Sequence, residues 1–237
     1  MSGRLVLVPN LLGAVAPERV LPAHTLAVAR ELRDWVVESP KPARAFLKSL
    51  DATRAVASLS IVAIGEDRTP APMKALLEPA RQGRDLGLLS DAGCPGVADP
   101  GAALVAAAHA EGLRVVPLVG PSSILLALMA SGMNGQQFCF HGYLPADAPG
   151  RIAALRQLEA DSRTRGLTQI AIETPYRNAA LLDAMLATLA PATRLCVAAD
   201  LTLSSETIIS KRVRDWPRAQ GERYAKRPAI FLFESAR

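Results

Sequence analysis

The chain has 237 residues, enough for one large domain or two small ones, and half of them are hydrophobic, which excludes a disordered chain. Its 27 Lys and Arg against 22 Asp and Glu leave a net charge of +5, which permits an anionic partner without requiring one. Aromatic residues are only 4%, too few for a platform that stacks many bases. The three cysteines (Cys94, Cys139, Cys196) and three histidines (His24, His109, His141) are scattered. Neither a disulfide framework nor a metal site is expected from such spacing. No apolar run is long enough to span a membrane. The N-terminal LVLV reads as a buried first strand rather than a signal peptide, because Pro9 and Asn10 interrupt it. A reducing cytoplasmic compartment is the expectation.

Short apolar runs are predicted as strands in chain order: 5–8, 60–64, 86–90, 115–119, 138–143, 169–173, 195–199, 206–210 and 230–233. The early runs do not alternate with polar residues, as expected of parallel strands covered on both faces. Helical patterns lie between them. One is predicted to start at Asp99 as cap with Pro100 in its first turn, and to leave through Gly112. A second opens at Gly120-Pro121, runs to Gly132 and is apolar all round, so burial on most sides is expected. A third opens at Thr174-Pro175, carries a stripe of Leu181, Leu182, Met185, Leu186 and Leu189, and stops before Pro191. Segment 145–150 reads as turn-rich, and 206–233 as strands joined by a polar loop. The expected fold class is α/β, in two domains: 1–118 with a mostly parallel sheet and 119–237 with a mixed one.

Ligands of such folds bind in loops that follow parallel strands. Three loops qualify. The first is Pro9-Asn10-Leu11-Leu12-Gly13. The second, 90–101, packs three Gly, two Pro and two Asp into twelve residues, around Asp91-Ala92-Gly93-Cys94. The third, Gly120-Pro121-Ser122-Ser123, offers backbone N–H groups and two hydroxyls at a helix start, which suit an anion or equally just cap the helix. Dinucleotide, P-loop and hydrolase-elbow motifs are all missing. Cys94 has no neighbouring histidine to make it a nucleophile. His141 reads as a structural histidine. Basic residues cluster at 211–227 (Lys211, Arg212, Arg214, Arg218, Arg223, Lys226, Arg227), readable as a solvated loop or as a nucleic-acid footprint.

SDAGCPGVADPG, followed in order by VVPLVGPSS, FHGYLP and IETPYR, resembles the tetrapyrrole methylase superfamily of S-adenosylmethionine-dependent (SAM) methyltransferases. Within it the sequence is most similar to the bacterial branch that holds the small-subunit ribosomal RNA cytidine 2′-O-methyltransferase, and to shorter relatives of that enzyme. The resemblance runs nearly end to end. It implies a SAM cleft between the two domains and a homodimer. It assigns Leu12, Gly13, Ala92, Gly93, Cys94, Ser122, Ser123, Glu173, Leu201 and Ala229 to the cofactor, with Cys94 where the superfamily has Asp. Asp91 is the candidate for a catalytic or loop-ordering role.

Two segments depart from the RNA enzymes. A TPIGN-like stretch is replaced by Asn10-Leu11-Leu12-Gly13-Ala14, and an AEDTR-like one by Val37-Glu38-Ser39-Pro40-Lys41, leaving Glu38, Lys41 and Arg44. The C-terminal extension of those enzymes is expected to be absent after IFLFESAR. Three functions stay open. They are methylation of RNA at a ribose oxygen, on RNA or a ribosomal subunit; C-methylation of a tetrapyrrole or other small molecule; and SAM binding without catalysis.

Overall fold

A computed structural model describes residues 2–53, 55–217 and 220–236. Arg218 of the basic segment lies outside them. The chain divides into two compact units, Met1–Ser122 and Ser123–Arg237.

In chain order the first unit comprises β1 (Arg4–Leu7), α1 (Ala23–Glu31), β2 (Asp34–Val37), α2 (Pro40–Leu50), β3 (Ser60–Ala63), α3 (Pro70–Leu76), α4 (Glu78–Arg81), β4 (Leu86–Leu89), α5 (Ala102–Ala110) and β5 (Arg114–Pro117). The five strands form one sheet in the order β3-β2-β4-β1-β5. All of its pairings are parallel, with Leu5 opposite both Leu86 and Val115.

Alternate residues of these strands feed two cores. Val6, Trp35, Val37 and Leu89 pack with Leu26, Phe46 and Leu47 from α1 and α2. Leu5, Val36, Leu86 and Leu88 pack with Met73, Leu104 and Ala108 from α3 and α5. Both faces are covered, so the central strands read as unbroken apolar runs.

Sequence patterning missed β2. Its apolar run is only Trp35 to Val37, and the strand opens on a buried acid, Asp34, and is followed by Glu38. The strand is nevertheless interior, between β3 and β4. The expected start of α5 also moves. Gly101, not Asp99, occupies the cap position, and Pro100 precedes the helix. The tight turns of the Gly-rich loop use up the residues that would have formed the first turn. Gly112 takes the left-handed exit as expected, with φ +67°.

The second unit comprises α6 (Ser123–Ser131), β6 (Phe138–Tyr143), α7 (Ala148–Arg165), β7 (Thr168–Ile172), α8 (Asn178–Thr188), β8 (Arg194–Ala199), β9 (Thr207–Arg212) and β10 (Ala229–Glu234). Its sheet runs β6-β7-β10-β8-β9 and is mixed. The β6–β7 pair is parallel and the other three pairs are antiparallel. The core joins Leu181, Leu182 and Met185 of α8, and Leu189 just past its end, to Phe231, Phe233, Trp216 and Tyr224. Asn178 is fully buried and donates to the carbonyls of Tyr224 and Arg227, so it fastens the 221–228 segment onto α8.

Three further expectations change here. α6 is not buried on most sides. Ile124, Ala127 and Leu128 face the sheet, while Leu125 and Met129 are 51% and 79% exposed. A single sheet covers only one face of the helix. The turn-rich segment 145–150 is instead the start of α7: Asp147 caps it by accepting from the Gly150 N–H, with Pro149 in the first turn. Thr174-Pro175 opens a 3₁₀ turn, and α8 itself begins at Asn178.

Among the described residues no helix is long and apolar enough to cross a membrane. No three His, Cys, Asp or Glu side chains among them are grouped to hold a metal.

Candidate functional site

The loops after β4, β1 and β5, three adjacent strands, come together at the carboxyl ends of the first sheet. Asn10 holds two of them. It is 4% exposed. Its backbone N–H donates to the Gly93 carbonyl at 2.8 Å. Its Nδ2 donates to the carbonyls of Ser90 (2.9 Å) and Asp91 (3.0 Å), and its Oδ1 accepts from the Leu11 N–H at 2.7 Å. The third loop closes on the other two. The Cys94 thiol lies 3.5 Å from the Pro121 carbonyl. A Cβ on Gly120 would stand 2.3 Å from Pro9 Cβ, so only glycine permits this approach.

Gly93 sits at the centre with φ +65°. The space its missing side chain leaves faces Leu12 Cδ2 at 3.4 Å and the Pro121 carbonyl at 3.8 Å. Beside it is a cavity of about 570 Å³, lined by the 10–16 segment, by Pro42, Ala45, Phe46 and Ser49 of α2, and by Asp91 and Ala92. Leu12, Gly13, Ala92, Gly93 and Cys94 are thus brought together, with Pro121 against them. Ser122 and Ser123 follow Pro121 in sequence, both half-buried, at the entry to α6.

The electrostatics of this loop are acidic. Glu38, at the end of β2, accepts from the Asp91 N–H at 3.0 Å. Burial, reinforced by the negative charge of Glu38, pushes the Asp99 carboxyl up from 3.8 to about 6. Burial also raises the Cys94 thiol, with Asp99 adding to it, which disfavours the reactive thiolate.

The Asp99 shift has a stability consequence. Between pH 4 and pH 6 the native chain keeps a proton on Asp99 that the unfolded chain has released. Stability therefore falls as pH rises through that window, by on the order of 1–2 kcal/mol once solvent screening of this half-exposed group is allowed for. Asp99→Asn should be more stable than the parent at pH 8 and no different below pH 4. Denaturation midpoints at the two pH values check this, and an equal offset at both would refute it.

In the second unit, Glu173, Leu201 and Ala229 lie at one end of the sheet. Ala229 pairs with Ala199, and Ile172, just before Glu173, pairs with Ile230. The Glu173 side chain is fully buried. Its Oε1 accepts from the Thr174 N–H (2.7 Å), from Thr174 Oγ1 (3.2 Å) and from Arg177 Nε and Nη2 (2.9 and 2.6 Å). Its Oε2 is buried with no partner among the described residues, as is Thr202 Oγ1.

Leu201 is held between two residues in the left-handed region, Asp200 (φ +52°) and Thr202 (φ +74°). For a β-branched threonine this is strained, and such strain persists only where its surroundings impose it. Arg227 imposes it, donating to Asp200 Oδ2 (2.8 Å), the Ser205 carbonyl (2.7 Å) and Thr207 Oγ1 (3.0 Å).

Sequence reasoning did not single out Asn10 or Arg227. An asparagine directly after a strand was the available signal for the first. Arg227 was hidden inside the basic segment, where charge alone suggested solvent or nucleic acid. His141 Nε2 lies 2.6 Å from Gln169 Oε1.

The fold is shared with solved structures. The methyltransferase CobJ superposes with a TM-score of 0.64 at 21% identity, covering 99% of this chain and 95% of that one. The uroporphyrin-III C-methyltransferase of Thermus thermophilus complexed with S-adenyl homocysteine superposes with a TM-score of 0.54 at 18% identity, covering 98% and 97%. In sequence, the ribosomal RNA small subunit methyltransferase I of Mycobacterium bovis is 32% identical over 209 residues, 88% of this chain and 70% of that protein. The protein of the same name from Escherichia coli O157:H7 is 39% identical over 133 residues, 56% of this chain and 45% of that one. The chain thus spans about half the length of several relatives that it matches. The tetrapyrrole (corrin/porphyrin) methylase family profile matches residues 27–216, and the chain belongs to that family.

Proposed function

We propose that the protein is a SAM-dependent methyltransferase acting on RNA, at a ribose 2′-oxygen of ribosomal RNA, and that it works as a cytoplasmic homodimer. The observation that carries the reading is the clasp of three strand-end loops around Gly93, in a chain of this family. Further support comes from the ribosomal RNA methyltransferase names of relatives at 32–39% identity. The residues present suit the cofactor. Gly93 leaves an open face beside Leu12, and Glu173 Oε2 and Thr202 Oγ1 are buried acceptors lacking donors, as a polar nucleoside with amino and hydroxyl groups would supply. We assign Leu12, Gly13, Ala92, Gly93, Cys94, Ser122, Ser123, Glu173, Leu201 and Ala229 to cofactor binding.

When bound, SAM supplies a methyl group already activated by its sulfonium. The protein's task is then to position an acceptor and exclude water, which a backbone-rich, mostly apolar site does well. Asn10 and Cys94 fix the loops. Arg227 holds the turn at Leu201. Asp91, exposed and anchored through its own N–H to Glu38, offers a carboxylate to the acceptor's proton.

The test combines calorimetry with SAM and incubation of labelled SAM with ribosomal RNA from a strain lacking the gene, followed by nucleoside analysis. A labelled 2′-O-methylnucleoside is expected. Asp91→Ala should lower transfer more than tenfold while SAM affinity changes less than threefold. SAM binding without any labelled product would leave a cofactor-binding protein and remove the RNA activity.

A further inference from the structure

α2 carries three cations and no acid. Lys41, Arg44 and Lys48 recur at i, i+3 and i+7, so they form one stripe along the helix. All three are exposed, and the ion pairs among the described residues use other side chains. The neighbouring stripe, Pro42, Ala45, Phe46 and Ser49, is the one that walls the 570 Å³ cavity. The only ionisable side chain on the cavity lining is Asp91. A basic rail therefore borders a mostly apolar chamber, wide open to solvent, with a carboxylate at its side.

We propose that α2 and this cavity are the docking surface for single-stranded RNA, with Lys41, Arg44 and Lys48 taking successive phosphates and one unpaired nucleoside entering the part of the cavity walled by α2 and Asp91, the part at Leu12, Gly13 and Ala92 being left to the cofactor. The proposal rests on the RNA methyltransferase reading and names the surface that reading lacks.

Charge complementarity argues for it. A carboxylate repels a phosphate but accepts from the amino group of a base. The polyanionic backbone is thus kept on the rail and the ring is admitted to the chamber. The chamber's volume lies within the roughly 300–1,000 Å³ usual for small-molecule pockets. The rail is about 10 Å long, so its three cations are spread along the helix and can meet different phosphates of one strand. A duplex would keep its bases stacked, so the partner must be single-stranded at this point.

The test uses a fluorescein-labelled single-stranded oligoribonucleotide, titrated over a range of KCl concentrations. The triple variant K41E/R44E/K48E changes only exposed side chains. It should keep the parent's melting temperature and SAM affinity. Its RNA affinity should fall at least tenfold, and its plot of log K against log salt should be flatter by about 2, the release expected from about three phosphates. An unchanged slope overturns the rail. Loss of binding to intact small ribosomal subunits, with the naked strand unaffected, would mean that the stripe meets a protein, and also overturns it. Ala45→Trp narrows the chamber. It should leave the salt slope intact and reduce methyl transfer at least tenfold, and full transfer in that variant overturns the chamber's role. Failure of the parent to bind SAM would sink the methyltransferase reading, and the salt slopes would still judge the docking surface.

Discussion

Asn10→Ala should be among the most damaging single changes in the first unit. It deprives two carbonyls and one N–H of their partners in a place shielded from water. At about 1 kcal/mol for each lost bond the expected destabilisation is about 2–4 kcal/mol. For a chain of this size that lowers the melting temperature by roughly 5–15 °C. The same change frees the 9–13 loop from the Gly93 loop, so SAM affinity should fall at least tenfold. Asn10→Asp should be no milder, because it keeps the acceptor for Leu11 and turns the donor toward two carbonyl oxygens into an anion. Thermal melts and calorimetry on both variants check this. Undiminished SAM affinity in the alanine variant would show that the latch plays no part in binding.

Gly93→Val should lose SAM binding by about a hundredfold or more while the chain stays folded. The obstacle is not the first carbon, since a Cβ would meet only ordinary contacts at 3.4 and 3.8 Å. It is the backbone, held at φ +65°, which costs an ordinary residue roughly 1–2 kcal/mol and a β-branched one more. Restoring a relaxed φ would swing Ala92 and Cys94 away from the cavity and from Pro121. Asn adopts this conformation more readily than Val, so Gly93→Asn should retain more affinity than Gly93→Val. Calorimetry with SAM on the two variants decides it. Equal and undiminished affinities would refute the assignment of this loop to the cofactor.

The strands that the sequence displayed best were those with the simplest surroundings. β4 and β8 are covered on both faces and read as continuous apolar runs. β2 is just as buried but was missed, because its apolar run is only three residues, Trp35 to Val37, enclosed by Asp34 and Glu38. α6 misled in the opposite direction. Its composition is apolar on every side, yet about half of Leu125 and most of Met129 remain exposed. Composition reports what a helix tolerates burying, and the number of neighbours decides what it does bury. The Gly-rich loop was legible from its residues, whereas its position beside Asn10 and Pro121 was not.

The sequence alone determined the α/β order, the parallel first sheet and the mixed second one, and membership of the methylase family. These follow from local patterning and from motifs that are contiguous along the chain. Tertiary structure decided which groups meet. Asn10 reaches Ser90 across 80 positions only because β1 and β4 are neighbours in the sheet. Arg227 reaches Asp200 across 27 positions because β8 and β10 pair with Ala199 opposite Ala229. Strand adjacency is fixed by the packing of the whole sheet, and no local run of residues encodes it.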